Sequence, residues 1–189
     1  MILELLNQID TTLFIFFNMQ LANPVFDILM PFVTYKQTWY PVWILLTIGL
    51  LWKGGKKGRF VVLIAILSVA LADQVVNQLL KPWFQRVRPC NVVEGVHLLL
   101  NKKTSHSMPS SHAANFFAVG TVFAYFYRKY QFIFWFFASL VAYSRVAVGV
   151  HYPFDIIVGS FSGVLFAAFW IILFNKIKVK GKSLLEPSS

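Results

Sequence analysis

Phe60-Val-Val-Leu-Ile-Ala-Ile-Leu-Ser-Val-Ala-Leu-Ala-Asp73-Gln-Val-Val-Asn77-Gln-Leu-Leu80-Lys81 is the stretch that decides the fold. From Phe60 to Ala72 it carries no charge. As a helix rising about 1.5 Å per residue, the run to Leu80 crosses the roughly 30 Å of a bilayer's hydrocarbon. A spacing of four puts Asp73, Asn77 and Lys81 on one helical face. Asp73 falls inside the apolar run, where a carboxylate needs a partner, so support of Lys81 suits it better than catalysis.

The pattern recurs on both sides. Upstream, a span is expected at 39–53, opened by the interfacial pair Trp39-Tyr40 and ended at Gly54-Gly55. Residues 22–35 are apolar but short and interrupted by Pro24 and Pro31; they fit a re-entrant or interfacial helix, or part of a further span. Residues 1–20 mix Leu, Ile and Phe with Glu4, Asn7, Gln8 and Asp10, an amphipathic run suited to the membrane interface. Downstream, a polar loop at 81–108 precedes spans expected at 110–127, 131–149 and 153–174, with Pro89, Pro109 and Pro153 at the boundaries.

The expected fold class is therefore all-α: a polytopic transmembrane helical bundle of five to six spans with an N-terminal amphipathic segment. Three parts follow: the N-terminal segment at 1–35, a membrane domain at 36–180 and a polar, disordered tail at 181–189.

Composition agrees. Of the 189 residues 58% are hydrophobic and only 13% charged, beyond what a soluble domain of this size can bury. The net charge of +10 points to loops that set orientation, not to nucleic acid. One cysteine, Cys90, permits no internal disulfide and forms no metal pattern, so neither metal nor cofactor is expected. Ten of the seventeen Lys and Arg residues are Lys53, Lys56, Lys57, Arg59, Arg128, Lys129, Lys176, Lys178, Lys180 and Lys182. With five spans these fall on one side, which the positive-inside rule makes cytoplasmic. The loop at 81–108 and the turn at 150–153 then face outward from the inner membrane.

Three polar stretches converge on that outer face. In the first, Lys81 and Arg88 stand where a helix is stopped by Pro89, which forces Arg88 onto extended backbone. A guanidinium fork and an ammonium point charge suit phosphate oxygens. Snorkelling to headgroups explains Lys81 equally well and Arg86 better. In the second, Pro109-Ser110-Ser111-His112 opens a helix whose serine caps and free amides suit an anion. Capping alone accounts for Ser110 but not for His112, which is placed to protonate a leaving alkoxide. In the third, Arg145 ends a span, His151 sits in the turn, and Asp155 follows in the first turn of the next helix. A carboxylate there fixes one imidazole nitrogen and leaves the other as an exposed nucleophile; stabilisation of the helix dipole is the blander role for Asp155. His97, Lys102, Lys103 and His106 read equally as headgroup selectors or as a solvated loop.

Lys-x6-Arg-Pro, Pro-Ser-x-His and Ser-Arg-x5-His-x3-Asp, in this order across 81–155, together resemble the type 2 phosphatidic acid phosphatase (PAP2) superfamily in its membrane branch. The resemblance implies a metal-independent lipid phosphatase. His151 would attack phosphorus, Asp155 would orient it, and His112 would protonate the leaving oxygen. Lys81, Arg88, Arg145, Ser110 and Ser111 would bind the phosphoryl oxygens. Ser111 stands where the family usually has Gly, which bears on the fine geometry of the anion site. The superfamily's soluble haloperoxidases bind vanadate with similar residues, but the spans speak against that branch. The expected partners are membrane lipids and a substrate such as undecaprenyl pyrophosphate, phosphatidylglycerol phosphate or lipid A 1-phosphate. The alternative is a non-catalytic lipid-phosphate binder or transporter.

Overall fold

The computed structural model describes residues 1–183, with side chains to residue 177. Helices α1 (Ile2–Ile15), α2 (Pro24–Thr34), α3 (Lys36–Lys53), α4 (Gly55–Val75), α5 (Lys81–Phe84), α6 (Pro89–Val92), α7 (Ser111–Phe126), α8 (Gln131–Ala147) and α9 (Pro153–Ser183) follow in order, and no strand occurs among the described residues. Expected residues 181–183 close α9; residues 184–189 of the expected tail lie outside the described residues.

The all-α expectation holds. Two helical stretches, Gly55–Val92 and Pro153–Ile177, are long and apolar enough to cross a membrane. A third crossing is possible if Ile2–Gln20 and Pro24–Thr34, bent by 114°, count as one broken span. The two prolines expected to interrupt 22–35 do not do so. Pro24 opens α2 just after Asn23, whose Oδ1 caps the amides of Val25 and Phe26, and Pro31 lies inside the helix.

Helix α4 runs on through a π turn at Val76–Leu80 into α5. Pro82 has no N–H for the carbonyl four residues back, and widening the preceding turn accommodates its ring. Gln85, with φ of 47°, then ends the helix in left-handed backbone.

The core lies where α4, α7 and α9 meet. Val61 and Ile64 pack there with Val122, Phe123, Ala167 and Ile171. Small residues bring α7 and α9 together: a Cβ on Gly163 would come within 2.9 Å of the Ala118 amide, and one on Gly159 within 3.2 Å of Ala113 Cβ. Such close backbone approach is how helices associate in lipid, where apolar contact alone gives no drive. The perimeter is apolar as well. Leu45, Leu63, Phe132, Phe136, Phe161 and Phe169 are all exposed, as a bilayer-facing surface requires. Met30, Ala147, Val148 and Val150 form a second core that seats the turn carrying His151.

Candidate active site

The turn between α8 and α9 holds His151, and both of its ring nitrogens are engaged. Nδ1 lies 3.3 Å from Asp155 Oδ2, which also accepts the Tyr152 amide at 2.8 Å. Nε2 lies 2.9 Å from Arg88 Nη1. With the proton on Nδ1, held by the carboxylate, Nε2 presents its lone pair to the guanidinium. The expectation of an exposed nucleophilic nitrogen is corrected: His151 is only 2% exposed, and Arg88 covers it. Burial, and then the charges of Arg88, Arg145 and Lys81, push His151 well below its ordinary value, because each disfavours the imidazolium.

Arg88 is extended, as its place before a proline requires, with φ −73° and ψ 148°. Its guanidinium donates to the carbonyls of Ser105, His106 and Val150 and to Ser105 Oγ. The loop at 105–107 thus fixes a cation that is itself buried. Arg145 is buried on α8. Its Nη1 donates to Thr34 Oγ1 at 2.7 Å, and its carbonyl accepts the His151 amide at 3.2 Å. Arg145 Nε is buried without an acceptor among the described residues, a donor available to an anion.

Helix α7 brings the second stretch. The Ser110 amide donates to the Asp155 carbonyl at 3.0 Å, joining the starts of α7 and α9, and Ser110 Oγ caps the Ala113 amide. Ser111 Oγ and Lys81 Nζ both donate to Asn77 Oδ1, at 2.9 and 3.0 Å, while Asn77 Nδ2 donates to Asp73 Oδ1 at 3.0 Å. Asp73 therefore supports Lys81 through Asn77. His112, half-buried, lines a cleft of about 610 Å³ together with Asp73, Ser111, Trp39, Trp43, Val69 and Phe116. All eight residues singled out from the sequence are tied into or border one constellation.

Three participants escaped the sequence reading. Arg86 does not snorkel: its Nη1 reaches Asp155 Oδ1 at 2.9 Å and Asp10 Oδ2 at 2.6 Å, and its guanidinium lies 4.1 Å from the Tyr152 ring centroid. Asp10 is fully buried and its Oδ1 accepts the Phe154 amide at 2.8 Å. Asn18, also buried, donates to the carbonyls of His97, Val146 and Ala147 and accepts the His97 amide. The polar edge of the N-terminal segment thus turns inward. Trp39 likewise leaves its expected interfacial belt, donating to the Val33 carbonyl and packing 5.1 Å from Phe116.

The arrangement can hold a tetrahedral anion among Lys81, Arg88 and Arg145, with one imidazole buried behind it and another beside the apolar cleft. Comparison with known proteins points the same way. Residues 61–178 match the sequence profile of the PAP2 superfamily. The lipid A 4'-phosphatase of Bacteroides thetaiotaomicron is 32% identical over 87% of this chain and 78% of its own length. The undecaprenyl-diphosphatase BcrC of Bacillus subtilis is 32% identical over 82% of this chain and 78% of its own. The crystal structure of Aquifex aeolicus LpxE superposes with a TM-score of 0.67 at 26% identity, covering 85% of this chain and 93% of that one.

Proposed function

Because the chain belongs to the PAP2 superfamily, in its membrane lipid phosphatase branch, we propose that His151 is the nucleophile of a metal-independent phosphohydrolase acting on a lipid phosphate. The substrate's phosphoryl group sits among Lys81, Arg88 and Arg145, with Ser110 and Ser111 at the start of α7 assisting. His151 Nε2 attacks phosphorus, and the bond to the leaving oxygen breaks. His112 gives that oxygen its proton, while Asp155 holds Nδ1–H as the ring becomes cationic. Water then attacks the phosphohistidine, His112 accepting its proton, and inorganic phosphate leaves. Charge neutralisation by the three cations is strongest in the transition state, where the phosphoryl oxygens carry spread charge.

The observation that carries this reading is His151, held between Asp155 at Nδ1 and Arg88 at Nε2. A lipid substrate is supported by the apolar cleft beside His112, which is sized for part of a tail. The relatives' names, a lipid A 4'-phosphatase, a phosphatidylglycerophosphatase and an undecaprenyl-diphosphatase, support a substrate of this lipid-phosphate class. In this reading α3, α4, α7, α8 and α9 each cross the membrane, and α1 with α2 lies at the interface or forms a sixth crossing. The site faces outward from the cytoplasmic membrane, opposite the basic segments around Lys56, Arg128 and Lys176.

The test is phosphate release from those three lipids in detergent with EDTA, comparing the native chain with His151→Ala. EDTA-resistant turnover that vanishes in the variant is expected. Equal turnover by the variant would remove His151 as nucleophile, and no turnover on any lipid would favour a phosphate-binding or transport role.

A further inference from the structure

Behind the His151–Asp155 pair two buried carboxylates share one guanidinium. Asp155 gives Oδ2 to His151 and to the Tyr152 amide and gives Oδ1 to Arg86. The same Arg86 Nη1 lies 2.6 Å from Asp10 Oδ2, and both carboxylates are fully buried while Arg86 is 17% exposed. Asp10 belongs to α1 and has no counterpart in the three motifs. It is separated from Phe154, whose amide it accepts, by 144 residues of chain.

We propose that Arg86 and Asp10 are positioning residues that set the basicity of the His151–Asp155 pair, so that the N-terminal helix is part of the catalytic apparatus. This rests on His151 as nucleophile. With Asp10 and Asp155 ionised and Arg86 charged, the cluster carries one net negative charge behind a neutral His151. That residual charge is what meets the imidazolium when Nε2 bonds phosphorus. Without Arg86's charge, two carboxylates stand uncompensated and the imidazolium is favoured too strongly. Without Asp10's charge, Arg86 fully neutralises Asp155, and the imidazolium loses its counter-charge. Neither residue touches substrate.

The other charged or titratable groups around the pair stay constant in this comparison. They are Arg88 from the loop before α6, Lys81 at the start of α5, His112 from α7, Arg145 from α8 and Tyr152 from the turn. All but Tyr152 are cationic or able to become so, and they disfavour the imidazolium. Beside the Ser107 backbone, which also favours it, the Asp10–Arg86–Asp155 cluster is therefore the charged part of the site that can favour it.

The experiment measures kcat/KM against pH in detergent for the full chain, with undecaprenyl diphosphate and phosphatidylglycerol phosphate as substrates. Arg86→Gln is expected to move the acid limb upward by about half a pH unit or more, and Asp10→Asn to move it downward by a similar amount. Arg86→Lys keeps the charge and is expected to keep the limb in place while losing rate. In all three kcat falls more than KM rises. A purely structural role would lower the folded fraction or the rate without opposite displacements of the limb. Limbs that stay together, or move in the same direction, overturn the proposal. If Arg86→Gln does not fold, a downward limb in Asp10→Asn beside an unmoved one in Arg86→Lys supports it, and an unmoved limb in Asp10→Asn overturns it. His151→Ala, run alongside, separates the two readings. Retained turnover there sinks the phosphohistidine itself, whereas a dead His151→Ala with unshifted limbs sinks only the role of Arg86 and Asp10.

Discussion

Arg88 places its Nη1 2.9 Å from Nε2 of His151, so the guanidinium covers the nitrogen that the proposed mechanism directs at phosphorus. Four further acceptors, the carbonyls of Ser105, His106 and Val150 and the Ser105 hydroxyl, fix the fork. A lysine cannot make this set, having one nitrogen where arginine has three. Arg88→Lys should cost roughly ten- to a hundredfold in kcat/KM, about 1.5–3 kcal/mol for charged hydrogen bonds lost in the transition state. Steady-state phosphate release checks this; a variant within twofold of native would show that the fork is not used.

The pH dependence follows from His151. Burial and the charges of Arg88, Arg145 and Lys81 hold its folded value well below the ordinary 6.5. His151 therefore stays unprotonated as pH falls through 6.5, and with His151 as the proposed nucleophile the acid limb belonging to it should lie below that value. Stability runs the other way. The unfolded imidazole takes up a proton near pH 6.5 while the folded one does not, so the unfolded state binds more protons below that pH. The stability that neutral His151 contributes is full above about pH 6.5 and is lost progressively as pH falls below it. Thermal midpoints in detergent from pH 8 to 5 should drop on the acid side, and His151→Ala should flatten that drop.

What the sequence discloses about this site is what is local. Arg88 is extended because Pro89 follows it, and His151 and Asp155 meet because one turn of helix separates them. Ser110 caps α7 because it precedes a helical run. Asp10, Asn18 and Arg86 are different. Each is polar in or beside an apolar stretch, and solvent or headgroups would satisfy each equally well by pattern alone. Their true partners lie 69 to 144 residues away, at Asp155, Val146, Ala147 and Phe154. Only the packing of α1 against the start of α9 makes the polar edge of α1 an inner one. Trp39 misleads for the same reason: an indole beside a tyrosine reads as a belt until a facing helix supplies Phe116.

Asn18 carries the seat of the His151 turn. Its amide donates to Val146 and Ala147 at the end of α8 and brackets His97 through both amide and carbonyl. Asn18→Ala leaves those buried carbonyls without a donor, at a cost of about 1–3 kcal/mol. The expected result is a lowered thermal midpoint together with a fall in kcat, since the same carbonyls set the position of the turn. An unchanged midpoint would mean that water takes over the role of the amide.

The cleft beside His112 offers the sharpest check on the lipid reading, because it separates tail recognition from phosphate chemistry. Val69 on α4 lines it with Trp43 and Phe116, and His151 is not among its lining residues. An indole at position 69 would fill apolar space that a long chain would otherwise occupy. For Val69→Trp, the ratio of kcat/KM on a long-chain lipid phosphate to that on a short-chain analogue should fall by about tenfold or more, equivalent to about 1.4 kcal/mol of lost tail contact. A ratio that does not change would place the tail elsewhere, against the outer surface of the helices and not between α3, α4 and α7.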